Sequence, residues 1–250
     1  MKRLLLLFSV LSLLACDSDS AWDCLQRQGD LVQKEFQLAS FDRILVQQGV
    51  ELILKQGAEQ TVVVESGENL IIDVTAEVQN GQLIITDNNS CNIARDYNLT
   101  KAFVTTPDLS EIRNASAQRV SSQGTLAFTN LILLSEDFTT SEDGYTTGDF
   151  HLQLDVDVLR LEANNLSNFF LSGSADYANL RIFAGDVRIE AQNLMVEDLE
   201  FFHRGTNQMF VNPQQSLVGE LRGGGDVISL NRPPVVEVTE YYTGRLIFQD

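Results

Sequence analysis

Basic residues are scarce in this sequence: 17 Lys and Arg stand against 35 Asp and Glu. That balance excludes nucleic acid as a partner, because binding it needs a basic patch to displace counterions. It also argues against lying flat on anionic lipid, and it suits solubility through self-repulsion. Prolines number four, three of them late at Pro213, Pro233 and Pro234, so long stretches are free to pair as strands. No long segment has helical periodicity. With two histidines and three cysteines, the chain offers a poor zinc set, and no cofactor is expected. There is no Gly-x-Ser-x-Gly elbow, and His151 and His203 carry no signature around them.

What the chain does have begins at its N-terminus. Lys2 and Arg3 precede an apolar run from Leu4 to Leu14, broken by Ser9 and Ser12, the layout of an export signal. The run is short of the roughly 18–20 residues that cross a bilayer as a helix. Leu13-Leu14-Ala15-Cys16 resembles the bacterial lipobox, which implies cleavage before Cys16 and lipid attachment to it. Several acyl chains, each contributing about 0.8 kcal/mol per buried methylene, would anchor the protein durably. Loss of residues 1–15 would leave 15 basic and 35 acidic residues, a net charge of −20.

An odd cysteine count normally strands a thiol in an exported chain. If Cys16 is acylated, Cys24 and Cys91 remain as a pair where disulfides persist. Their bridge would close a loop of about 68 residues, with a stabilisation of about 4 kcal/mol on the chain-entropy view. The alternative is two unpaired thiols.

Three regions follow: a signal at 1–15, a lipidated cysteine and tether at 16–35, and one domain at 36–250. The tether opens on polar Asp17-Ser18-Asp19-Ser20, while Trp22 and Cys24 suggest that order begins soon after. Beyond Phe36 the sequence reads as β throughout. Ile44-Leu45-Val46, Val50 to Leu54, Thr61 to Glu65, Leu70 to Val74 and Gln82 to Thr86 are short strands parted by turns. Asn80-Gly81 is the strongest hairpin signal.

From about residue 109, a leucine heads one short strand after another: Leu109, Leu131, Leu159, Leu180, Leu199 and Leu217. Turns at Asn164-Asn165, Ser172-Gly173-Ser174, Gly185-Asp186 and Gly223-Gly224-Gly225-Asp226 divide them. A loose period near 20 points to a β-solenoid, in which Asn164, Asn165, Asn193, Asn207 and Asn212 could stack as ladders. A β-sandwich with irregular loops is the alternative.

Several segments in order resemble a bacterial family of unknown function, the autotransporter adhesin head GIN domain. They are Phe41-Asp42-Arg43-Ile44-Leu45-Val46, Val50 to Gly57, Gly81 to Ile85, Leu171 to Ser174, Leu221 to Val227 leading to Pro233-Pro234, and Gly244 to Phe248. The resemblance implies a right-handed parallel β-helix, here with a more irregular N-terminal β region, in an exported protein that is often a lipoprotein of Bacteroidetes-type bacteria. It brings no catalytic residues. The family's repeated Ser-Gly-Ser turns survive here as one clear copy, Ser172-Gly173-Ser174. With the lipobox, it implies an envelope protein lipid-anchored to the outer membrane.

Few residues are candidates for chemistry. Asp155 and Asp157 share one side of a strand, at about the 6–7 Å that strand geometry gives and a carboxylate-pair glycosidase could use. Glu136-Asp137 and Glu142-Asp143-Gly144 are oxygen-rich, yet their spacing does not match a calcium loop. Gly223-Gly224-Gly225 lacks the lysine of a phosphate-cradling loop, and Asp226 follows it. In Phe169-Phe170, Phe201-Phe202 and Tyr241-Tyr242, one ring of each pair should point outward and could stack on sugars. The expectation is a non-enzymatic envelope lipoprotein that binds, adheres or scaffolds, with a glycan or an envelope protein as partner. The alternative is a carbohydrate-active β-helix enzyme acting on polysaccharide.

Overall fold

Alternating apolar residues over most of the chain leave strand pairing as the way to satisfy the backbone while burying one face. The computed structural model describes residues 27–89, 100–137 and 146–249. Among these the fold is all-β, with 17 strands hydrogen-bonded into one sheet. In the first half these are β1 (Leu31–Phe36), β2 (Arg43–Gln47), β3 (Glu51–Gln56), β4 (Thr61–Gly67), β5 (Val74–Gln79), β6 (Gln82–Asp87), β7 (Lys101–Thr106), β8 (Glu111–Ala115), β9 (Val120–Leu126) and β10 (Asn130–Ser135). Then come four long strands, β11 (Phe150–Ala163), β12 (Asn168–Ile182), β13 (Arg188–His203) and β14 (Met209–Leu221). The short β15 (Val227–Ser229), β16 (Val235–Glu240) and β17 (Leu246–Phe248) finish the sheet. No helix among the described residues is long and apolar enough to cross a membrane.

The pairings resolve into two walls. One runs β5, β6, β2, β8, β10, the C-terminal halves of β11 to β14, then β16. The other runs β1, β4, β7, β3, β9, the N-terminal halves of β11 to β14, then β15 and β17. Among the described residues only β1–β4, β4–β7 and β5–β6 are antiparallel; every other pair is parallel. The antiparallel pairs all fall in the N-terminal part, which is the more irregular region. The Asn80-Gly81 hairpin is present between β5 and β6, with φ of 51° and 78° at the two residues, as a two-residue turn of this hand requires.

Each long strand bends from one wall to the other. In β11 the buried residues are Phe150, Leu152, Leu154 and Val156, then Leu159, Leu161 and Ala163. The inward parity flips at Asp157–Val158, which marks the corner. Along β12 the parity flips at Asp176–Tyr177, in register with that corner, so Ser172-Gly173-Ser174 lies ahead of the bend, inside a strand and not in a dividing turn. Gly173 has φ of +106°, and a Cβ there would sit 1.9 Å from the Leu154 carbonyl oxygen.

The register corrects the leucine spacing. Leu159 lies opposite Ala178, which lies opposite Leu199, and Leu199 faces Leu217. Leu180 belongs instead with Leu161 and Phe201. A slip of two residues preserves inward and outward faces, so alternation could not reveal it. One apolar cluster fills the space between the walls, from Phe41 to Val227. Within it the Phe150 and Phe169 rings stack with centroids 4.6 Å apart and 11° between planes.

Three further expectations change. Leu70 to Val74 is not one strand: Ile71–Asp73 forms a 3-10 turn, leaving Ile72 61% exposed, and β5 starts at Val74. Residues 31–35, assigned to the tether, belong to β1, paired with β4; Leu31 and its neighbours are largely exposed, so no apolar pattern signalled the strand. The asparagines form no mutual ladder. Asn165 donates to Thr146 Oγ1, Asn207 to the Asp186 carbonyl and Asn212 to the Gln192 carbonyl. They occupy different columns, so each ties its own coil to the one before.

Candidate functional surface

Parallel pairing places residues from successive coils side by side, about 4.8 Å apart, so outward side chains form columns. On the wall containing β9 and β17, one column runs Ser121, His151, Phe170, Glu190 and Phe210. The His151 and Phe170 rings stack at 4.3 Å with 25° between planes. Arg188 reaches Glu190 at 2.5 Å and lies 4.9 Å above the Phe210 ring. It also donates to Asn207 Oδ1 and Gln208 Oε1.

Beside this column is a shallow groove of about 350 Å3, with His151, Gln153, Phe170, Ser172, Glu190 and Gln192 in its lining. Gln192 Oε1 is buried and accepts no hydrogen bond. A stacked ring shelf flanked by amides and a carboxylate is suited to a ligand with flat apolar faces and hydroxyl edges. Partial burial, then the nearby Arg119 charge, push the His151 pKa below its ordinary value, so this ring is neutral at physiological pH. Among the described residues, His151 has no hydrogen bond to a hydroxyl or carboxylate. Nearby Asp149 instead accepts from the Asn168 backbone and side chain, both at 2.9 Å.

Other candidate residues take different places. Asp155 and Asp157 do share one outward side, both exposed, and Asp155 accepts from Ser174 Oγ at 2.8 Å. Neither is enclosed by apolar side chains. Glu136 is buried in an ion pair with Arg113, and Asp137 bonds Asn164, so both carboxylates are engaged in structure. No group of three potential metal ligands occurs among the described residues. Cys16, Cys24, Cys91 and Glu142-Asp143-Gly144 lie outside the described residues.

His203 is fully buried at a corner. Its Nε2 lies 2.9 Å from the Asn207 carbonyl, and its Nδ1 accepts from the Gly205 backbone N–H at 3.3 Å. A carbonyl only accepts, so Nε2 carries the hydrogen and the ring is neutral. Gly225 packs against it, where a Cβ would meet Nε2 at 2.7 Å. The triple glycine is thus a tight corner. Of the aromatic pairs, Phe169 and Phe201 are buried while Phe170 and Phe202 face outward; Tyr241 and Tyr242 are both exposed, at 54% and 65%.

Residues 40–233 match the family described as Putative auto-transporter adhesin, head GIN domain. The chain belongs to that family. A crystal structure of a putative adhesin from Bacteroides fragilis superposes with a TM-score of 0.79 at 19% identity, covering 89% of this chain and 99% of that one. One of a putative adhesin from Parabacteroides distasonis gives 0.62 at 16% identity, covering 88% and 99%. A protein from the same organism described as a putative lipid binding protein gives 0.61 at 15% identity, covering 90% and 100%. These likenesses establish the GIN-domain fold and no ligand. No curated protein matches the sequence.

Sequence reasoning missed one outward cluster, Arg181, Arg204 and Arg222. The available signal was Arg204 and Arg222, 18 residues apart; Arg181 joins them from the neighbouring column only in the correct register.

Proposed function

We propose that this GIN-domain protein is a non-enzymatic envelope lipoprotein that binds a glycan or an envelope partner along the outward columns of its coils. On this reading it is cut before Cys16, anchored by lipid there to the outer membrane, and bridged between Cys24 and Cys91. The parallel courses wind as a right-handed β-helix, consistent with the pairing offsets near 19 residues. The observation that carries the binding role is the open groove with the stacked His151–Phe170 shelf. It offers contact area over several strands, and among its described lining residues the Ser122 and Ser172 hydroxyls bond backbone groups.

The test is binding of the full chain, in mild detergent, to a glycan array and a panel of matrix proteins. Binding that weakens on Phe170→Ala supports the reading, and a blank result across both panels overturns it. Depolymerisation of an acidic polysaccharide, lost on Asp155→Asn and Asp157→Asn, would replace it with the enzymatic alternative. Mass spectrometry of membrane-extracted protein tests the anchor: an unmodified Cys16, or free thiols at Cys24 and Cys91, contradicts that part.

A further inference from the structure

Where the strands of the β16 wall end, two outward columns run together. One is Glu162, Arg181, Phe202, Glu220 and Thr239, in successive register. The next outward position along each coil gives Phe183, Arg204, Arg222 and Tyr241. Their backbone N–H groups bond the preceding coil in one pattern, Phe183 to the Ala163 carbonyl, Arg204 to Ile182, Arg222 to His203 and Tyr241 to Leu221, all at 2.8–2.9 Å.

Cations and rings interleave here. The Arg222 guanidinium lies 4.0 Å from the Tyr241 ring and 6.0 Å from Phe202. Arg181 lies 5.5 Å from Phe183 and 5.8 Å from Phe202. Arg222 also donates to Glu220, a hydrogen bond that holds the exposed Glu220 carboxyl below its usual range and raises Arg222. Arg181 and Arg204 have no carboxylate partner among the described residues. In a chain with 17 basic and 35 acidic residues, the three arginines in these two columns stand against two carboxylates, Glu162 and Glu220, which reverses the balance of the chain as a whole.

We infer that this corner binds an anionic glycan, with sugar faces against Phe202, Phe183 and Tyr241 and acid groups on Arg181, Arg204 and Arg222. Guanidinium groups pair with carboxylate or sulfate through two parallel hydrogen bonds, and aromatic rings offer flat apolar faces to pyranose rings. A neutral glycan would leave the arginines unused. A polyphosphate chain, with a charge on every nucleotide, would meet the repulsion of the surrounding acidic surface. A sparsely charged polysaccharide meets less of it. The inference rests on the binding role proposed above and names its ligand class.

The experiment is salt-dependent binding of the full chain to a glycan with uronate on a minority of its sugars, a sparsely sulfated glycan and their neutral counterparts, with single-stranded DNA and anionic vesicles as further arms. The expected result is binding to one or both anionic glycans that weakens with salt. Arg204→Gln should weaken it several-fold and the Arg181→Gln, Arg204→Gln, Arg222→Gln triple variant at least tenfold. Arg204 has no side-chain partner, so its variant should keep the wild-type unfolding midpoint, which separates recognition from a structural role. The uronate and sulfate arms distinguish which acid group is read. Failure to bind either, indifference to the substitutions, or preference for DNA or vesicles overturns the inference. Binding only to neutral glycans or matrix proteins would overturn it while leaving the binding role in place.

Discussion

Acidification should destabilise this protein through His203 in a window below neutrality. Burial lowers the folded-state pKa of this ring, only partly offset by its bond to the Asn207 carbonyl and by Asp226. The geometry agrees, because a proton on Nδ1 would oppose the Gly205 N–H that Nδ1 now accepts. In the unfolded chain the ring titrates near 6.5. As pH falls below about 6.5, the unfolded state therefore takes up a proton that the folded state refuses, and stability drops. The contribution is fully present above that pH and is lost progressively until the folded ring itself titrates. The slope approaches about 1.4 kcal/mol per pH unit for one proton. Urea unfolding followed by circular dichroism at stepped pH from 7.5 to 5 measures it, with His203→Gln as reference. The substitution should cost about 1–3 kcal/mol at pH 7.5 by leaving a buried group unpaired. It should also remove the His203 share of the slope, while His151 and the carboxylates act alike in both proteins. Parallel pH profiles for wild type and variant would refute the reasoning.

Gly173→Ala should lower stability by about 2–4 kcal/mol, since it combines a left-handed φ with a close approach to Leu154; an unchanged urea midpoint would contradict that close approach. A double-mutant cycle on Phe150→Leu and Phe169→Leu should show a coupling of about 0.5–1.5 kcal/mol from the stacked rings, and additive losses would deny the stack. Glu136→Gln should destabilise by about 3–5 kcal/mol, because Arg113 would keep its charge in a largely buried site without its partner. The same denaturation assay reads it.

Much of the fold was legible because its determinants are local. Asn80-Gly81 announces a hairpin because both residues tolerate positive φ, and the alternation in Leu159-Arg160-Leu161-Glu162-Ala163 sets its faces. Register was not legible. A slip of two residues keeps the same faces inward, so near-equal leucine spacing paired Leu180 with the wrong neighbour. Ile72 was misassigned for a related reason: hydrophobicity marks what can be buried, while tertiary packing left it in solvent. For the candidate surface, the outward rings Phe170 and Phe202 followed from alternation, whereas the Arg181, Arg204 and Arg222 corner depends on which coils stack.

Every surface described here depends on that register. Amide nuclear Overhauser effects across coils, in isotopically labelled protein, test it without substitution. Contacts of Leu180 with Leu161 and Phe201, and of Ala178 with Leu159 and Leu199, are the expected result. Contacts placing Leu180 beside Leu159 and Leu199 would contradict it.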